Sequence, residues 1–344
     1  MSRRIAFCAD GTWDGTGNNT NVFKIYNAIS AIPGEQYKFY DSGVGSDGLP
    51  LEKLVGGAFG AGLFQKVKDG YASIAGVYED GDEIFIFGFS RGAYTARSVG
   101  GMIAACGLPT KNPDPNQVNT AFDAYRNKNQ RATLLATLGA YNMVTPTITM
   151  VGVWDTVGSL GIPSVIGGVD PVLYQFLDTS LNPRVAHGYH AVAIDERRVE
   201  FPATLWTTTP GPGQTIEQVY FCGVHSDVGG GYPDELNAAN SLSDITLSWM
   251  MNKAQALGLV MDPTAVAKYS FPSASKNALA TKHESWNPLW LFPKRRSIST
   301  TAMLANSVLI RCEHDDSYRP GNLSLQSSGA PGAGYGGMAV VADA

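Results

Sequence analysis

The chain has 344 residues, 44% hydrophobic and 16% charged, with a net charge of −5 and a mean hydropathy of −0.07. That balance belongs to an ordinary globular fold, and the lack of a basic stripe excludes nucleic acid as an expected partner. No stretch reaches the roughly 18 uninterrupted apolar residues of a membrane span, and the opening "MSRRIAFCADG" lacks the apolar core of a signal peptide. Synthesis in the cytoplasm without a Sec signal is therefore expected.

The first apolar run, Ile5–Ala9, reads as a strand that stops at Asp10-Gly11-Thr12. Val22, Ile25, Tyr26 and Ile29 then recur at helical spacing, with Asn19 or Thr20 available as cap. Tyr37–Tyr40 reads as a second strand, and residues 42–62 as a glycine-rich loop. Leu63, Val67, Tyr71, Ile74 and Tyr78 mark a second helix. Glu83–Phe87 is nearly continuous in apolar character, as a parallel strand buried on both faces would be. Ala93, Ala96, Val99 and Ile103 define a third helix. Further strands are expected at Thr147–Trp154 and Val219–Val224, and helices near 184–200 and 241–257.

Strand–helix alternation predicts an α/β fold with a mostly parallel central sheet flanked by helices. One domain is expected over 1–320, with helical and loop insertions at about 108–145 and 158–216. A flexible Gly/Ala/Ser-rich tail is expected over 321–344. The cysteines Cys8, Cys106, Cys222 and Cys312 lie far apart without a CxxC pair, so neither zinc nor redox chemistry is indicated.

Gly88-Phe89-Ser90-Arg91-Gly92 sits between a predicted strand and a predicted helix. A serine there must turn sharply to stay exposed, and glycines two residues to either side remove side chains that would collide. Ser90 is thus the candidate nucleophile. It needs a base, and the base needs an orienting acid. Groups just past the carboxyl ends of parallel strands are the ones that converge. Asp155, after "TITMVGVW", and His225, after "VYFCGV", meet that condition. His283 is the second candidate base and Asp195 the second candidate acid. Asp227 is placed to organise the loop after His225. His187 and His190, three apart on the expected helix, lack a third ligand at metal spacing, and His314 reads as a loop residue.

An acyl-transfer site also needs donors for an oxyanion. The N–H after the nucleophile, on Arg91, is one. The loop after the first strand, with Gly11 and Thr12, supplies the other. Asp10 also admits a phosphatase-type aspartyl nucleophile, but Cys8 and Thr12 stand where that chemistry places a second aspartate. The glycine-rich "VGGAFGAG" and "DVGGGY" match no phosphate-binding fingerprint.

Five blocks in order, "ADGTWDGTGNNTNVFKIY", "GDEIFIFGFSRGAYTAR", "VGVWDTVGSLG", "HAVAIDERRVEF" and "FCGVHSDVGGGYPD", resemble an α/β-hydrolase family that includes type VI secretion phospholipase effectors of the first group. "SVLIRCEHDDSYRPGNL" extends the match to about residue 323. The resemblance implies a Ser90–Asp155–His225 triad, and the acyl-enzyme mechanism of such a triad requires no cofactor or metal. For effector members it implies phospholipase A activity on membrane glycerophospholipids, peripheral membrane contact, delivery by a contact-dependent secretion apparatus into a neighbouring cell, and an immunity protein as partner. A hydrolase of a small soluble or polymeric ester, and a non-catalytic α/β binding scaffold, stay open beside it. Residues 158–181 and "WNPLWLF" at 286–292 are apolar enough to serve as a lid or as buried core.

Overall fold

The computed structural model describes residues 2–11, 19–43, 57–109, 113–139, 143–157, 179–232, 240–269, 277–290, 292–323 and 338–343. In chain order the elements are β1 (Arg4–Ala9), α1 (Asn21–Ala28), β2 (Gln36–Asp41), α2 (Gly57–Val77), β3 (Glu83–Phe89), α3 (Ser90–Cys106) and β4 (Leu108–Pro109). They continue with α4 (Pro115–Arg126), α5 (Arg131–Leu138), β5 (Met143–Val144), β6 (Ile148–Trp154), β7 (Val185–Ala193) and β8 (Thr215–Phe221). Then come α6 (His225–Gly229), α7 (Leu242–Ala256), α8 (Pro263–Tyr269), β9 (Met303–Ala305), α9 (Asn306–His314) and β10 (Ala339–Val341).

Strict alternation along β1 and β3 sorts their side chains into two cores. Ile5, Phe7, Ile84 and Ile86 pack with Val67 and Tyr71 of α2, Val99 and Ile103 of α3 and Phe122 of α4. Ala6, Cys8, Phe85, Phe87 and Phe89 pack instead with Val22 and Ile25 of α1, Trp249 and Met250 of α7 and Val308 of α9. A sheet buried on both faces between helices is what the continuous apolar strands required. All four cysteines are buried free thiols, filling space as small hydrophobes.

The sheet runs β10-β9-β8-β7-β6-β3-β1-β2, and its paired neighbours are all parallel. β4 and β5 form a separate antiparallel pair. From β1 the chain moves outward to β2, then returns to the other side of β1 to form β3. That reversal makes β1/β3 the switch point of the sheet, the place beyond whose carboxyl ends ligands bind in such folds. Because the strands are parallel, Asp10 after β1, Ser90 after β3, Asp155 after β6 and His225 after β8 all emerge at one edge.

Three expectations are corrected. The segment near 184–200 holds β7, not a helix. It pairs with β6 on one side and β8 on the other, and those ladders override its ambiguous pattern. His187 and His190 therefore point to opposite faces of the sheet, not along one helix face. The expected loop 42–62 overlaps the start of α2 at Gly57. Within the expected flexible tail, β10 adds a parallel strand beside β9, and Asp343 is buried, accepting a hydrogen bond from the Ser307 N–H at 2.8 Å. Among the described residues no helix is long and apolar enough to cross a membrane. Most of the candidate lid at 158–181 lies outside the described residues.

Candidate active site

Ser90 begins α3 directly after β3 and has φ +57°. Only Asn19 and Asp155 share positive φ among the described non-glycine residues. The left-handed conformation costs a residue with a Cβ about 1 kcal/mol or more, so it persists only where the surroundings impose it. Close packing imposes it here. A Cβ on Gly88 would lie 2.4 Å from the Gly92 carbonyl oxygen, and one on Gly92 would lie 2.2 Å from that of Ala9. The glycines let the turn fold onto itself and onto the end of β1. The Arg91 N–H falls in the first turn of α3, where amides have no partner within the helix.

Asp155 ends β6, fully buried, with φ +35°. One carboxylate oxygen accepts from His225 Nδ1 at 2.6 Å, and the other from the Ala193 N–H at 2.9 Å. Arg296 adds two charged hydrogen bonds, Nη1 to Oδ1 at 2.6 Å and Nη2 to Oδ2 at 2.9 Å. Burial alone would raise the Asp155 pKa. The Arg296 charge and the His225 hydrogen bond outweigh burial and hold the carboxyl well below its ordinary range. An ionised carboxylate can only accept, so His225 Nδ1 carries the proton and Nε2 is left as a basic lone pair.

His225 opens α6. Its ring lies 4.6 Å from that of Phe89, the neighbour of Ser90, and 5.1 Å edge-on from that of Phe201. Burial in this aromatic slot pushes its pKa down, and Asp155 opposes that shift only in part. The imidazole is thus neutral near pH 7, as a general base must be. Its backbone N–H donates to Glu196 at 3.2 Å. Glu196 also takes both Arg198 Nε and Nη2 at 2.9 Å and the Ser285 hydroxyl. Burial opposes its ionisation, but Arg198 brings its pKa down to about 2.

The other histidines divide cleanly. His190 is buried, accepts the Thr156 N–H at Nε2 and faces Gln218 with Nδ1. Burial and then Arg97 push its pKa down to about 3, so it is a neutral structural ring. His187 is half-buried on β7, and His314 is exposed at the end of α9. His283 Nδ1 pairs with Asp227 at 2.5 Å, its N–H reaches the same carboxylate at 3.1 Å, and Tyr232 stacks on its ring at 3.8 Å. Asp227 also accepts the Val224 N–H at 2.9 Å, so it ties the turn before His225 to the 283 segment. Asp195 is engaged by the Gly223 N–H at 2.8 Å and the Tyr318 hydroxyl at 2.9 Å, away from His225 Nδ1.

At the end of β1, Asp10 is buried and accepts from Thr20 Oγ1 and Tyr40 Oη, each at 2.6 Å. It also takes the Gly11 N–H at 2.8 Å, which occupies one of the amides expected to hold an oxyanion. Thr12 lies outside the described residues. Burial pushes the Asp10 pKa up to about 6.

Two contributors escape a reading of the sequence. Arg296 lies 141 residues from Asp155, inside the exposed-looking run "PKRRS". Glu196 was legible only as part of the charged run "DERR", with nothing to separate it from a solvated ion-pair face.

A parallel sheet with a left-handed serine at its switch point and a buried His–Asp pair on the same edge defines an α/β-hydrolase-like fold. A family model described as the T6SS phospholipase effector Tle1-like catalytic domain matches residues 3–253, and the chain belongs to that family. An uncharacterized protein of Saccharomyces cerevisiae is 30% identical over 237 residues, 60% of this chain and 33% of that protein. The chain thus spans about a third of that relative's length. The crystal structure of an uncharacterized protein from Pseudomonas aeruginosa superposes on 82% of this chain and 51% of its own, at 17% identity and TM-score 0.54, a likeness of fold. A structure of the Tle1 effector bound to the VgrG spike of the type VI secretion system covers 83% of this chain and 82% of its own, at 14% identity and TM-score 0.46.

Proposed function

We propose that the chain is a serine ester hydrolase of the phospholipase A type, cleaving an acyl ester of membrane glycerophospholipids through an acyl-enzyme. The observation that carries this reading is the strained Ser90 on the same sheet edge as a neutral, Asp155-oriented His225 whose ring lies against Phe89, the residue before Ser90. His225 Nε2 takes the Ser90 Oγ proton as Oγ bonds to the ester carbonyl carbon. The Arg91 N–H, in the first turn of α3, steadies the oxyanion, with Thr12 as the expected second contributor, the Gly11 N–H being held by Asp10. The C–O bond breaks, and the imidazolium passes its proton to the leaving alcohol. Water, deprotonated by His225, then attacks the acyl-serine, releasing the fatty acid and restoring Ser90. Asp155 fixes the ring and its tautomer throughout.

Family membership supports a phospholipid substrate. It also supports contact-dependent delivery by a secretion apparatus; an immunity protein is proposed as a further partner. The test is labelling by a fluorophosphonate probe, followed by phospholipid turnover. Wild type should label, Ser90→Ala should not, and fatty acid with lysophospholipid should be released. Equal labelling of both proteins would refute the nucleophile. A second reading, hydrolysis of a small or polymeric ester without delivery into another cell, draws on the relative in yeast, where the matching region is a third of a longer protein. Turnover of short soluble esters with none of phospholipid would favour it.

A further inference from the structure

We infer that residues 292–295 form a docking surface for an anionic phospholipid membrane, placed beside the catalytic histidine. The inference rests on the phospholipase reading and names the surface that reading needs.

Phe292 is 76% exposed, the most exposed large hydrophobic among the described residues. Pro293, Lys294 and Arg295 follow it and are exposed as well. Arg296, next in line, is committed to Asp155. Among the described residues, neither Lys294 nor Arg295 has a carboxylate within ion-pair distance. In a chain of net charge −5, two adjacent cations with no ion pair among the described residues, beside one protruding aromatic, form a local exception, although Arg295 shares a cleft with Asp195 and Glu284. An aromatic that enters the headgroup–acyl boundary, flanked by cations at the phosphate level, is the composition of an interfacial membrane contact. The cores of protein interfaces, by contrast, are depleted in lysine.

The surface is fastened to the catalytic edge. The Lys294 N–H donates to the Arg197 carbonyl at 2.8 Å, Arg198 bridges Pro293, and Arg296 reaches Asp155. Behind it lies a cavity of about 290 Å³ walled by Val199, Phe201, Leu205 and Tyr220, with Lys294 and Arg295 on its lining. Phe201 presents its ring edge to His225 from that wall. A lipid held by its phosphate at Lys294 and Arg295 therefore has an apolar recess between it and the catalytic ring.

The test is co-sedimentation of the Ser90→Ala protein with vesicles of phosphatidylcholine alone or with added phosphatidylglycerol. Binding should require phosphatidylglycerol and weaken with salt. Phe292→Ser should lower partitioning about tenfold, and Lys294→Glu with Arg295→Glu on the order of thirtyfold or more. These variants should keep the parent's melting temperature, which excludes misfolding as the cause. Variants that sediment like the parent, or equal binding to both vesicles, would overturn the docking surface. Vesicle binding by the wild-type chain without release of fatty acid would leave the surface standing and remove the phospholipase reading instead.

Discussion

Arg296 grips Asp155 with both terminal nitrogens, at 2.6 and 2.9 Å, while the same carboxylate holds His225 Nδ1 at 2.6 Å. All three groups are buried, so each charge depends on the others to offset its lost hydration. Arg296 also donates to the carbonyls of Ala193 and Phe201, joining the 292–297 segment to the loop that carries the aromatic wall of His225. On the proposed reading it is a positioning residue, acting on His225 through Asp155.

Arg296→Met should therefore destabilise the fold by about 3–5 kcal/mol, the cost of breaking a buried pair from one side. Ester turnover should fall at least tenfold, on the order of what a misoriented base costs. Asp155 is depressed in the folded state, so its stabilisation is complete above the ordinary carboxylate pKa and is lost only as pH falls below it. Without Arg296, burial acts with less opposition, the folded pKa moves back toward the unfolded one, and less stability is left to lose, so the acid-side slope should flatten. Urea melts from pH 3 to 7 check this. Arg296→Lys should recover part of the activity; an unchanged acid limb in both variants would assign Arg296 a packing role only.

Much of this edge was legible in advance, because strand ends in a parallel sheet are set by local apolar runs. "EIFIFGFSRG" and "TITMVGVWD" show where a chain leaves the sheet, and the structure places Ser90 and Asp155 there. His225 followed from the same logic after β8. β7 was not legible, since "VAHGYHAVA" alternates too weakly to reveal a strand whose identity comes from its ladders with β6 and β8. Arg296 was invisible for a related reason. Its partner is chosen by the path of the 283–297 segment across the strand ends, and no local pattern encodes that path.

Ser90 offers a test of strain separate from chemistry. At φ +57° a residue with a Cβ is strained, and glycine is not. Ser90→Gly should exceed Ser90→Ala in unfolding free energy by about 1 kcal/mol, despite glycine's greater freedom in the unfolded chain. Both should be inactive. A lower stability for the glycine variant would show that the turn is relaxed.

The two carboxyl and imidazole shifts give opposite pH signatures. Asp10 has a folded pKa of about 6, raised by burial, so the folded state binds its proton more tightly than the unfolded chain does. Its effect on stability is therefore a loss as pH rises from about 4 to 6, of order 3 kcal/mol at about 1.4 kcal/mol per unit. Asp10→Asn should flatten that slope in urea titrations. His225 is lowered from its ordinary 6.5, so kcat/KM should already be at its plateau at pH 7 and decline only on the acid side of that value.

His225 and His283 each present Nδ1 to a buried aspartate, at 2.6 and 2.5 Å, so geometry within each pair does not say which is the base. Their surroundings differ. His225 lies against Phe89, next to Ser90, whereas His283 stacks on Tyr232 and fixes the start of the segment that leads to Arg296. His225→Ala should abolish fluorophosphonate labelling, since on the proposed reading it is His225 that takes the Ser90 proton. His283→Ala should retain labelling but loosen the segment held through Asp227, Glu196 and Ser285, seen as faster proteolysis after Lys282 or Arg295. His283→Gln keeps a polar side chain toward Asp227 and should restore most of that resistance. Loss of labelling in His283→Ala, with labelling intact in His225→Ala, would exchange the two roles.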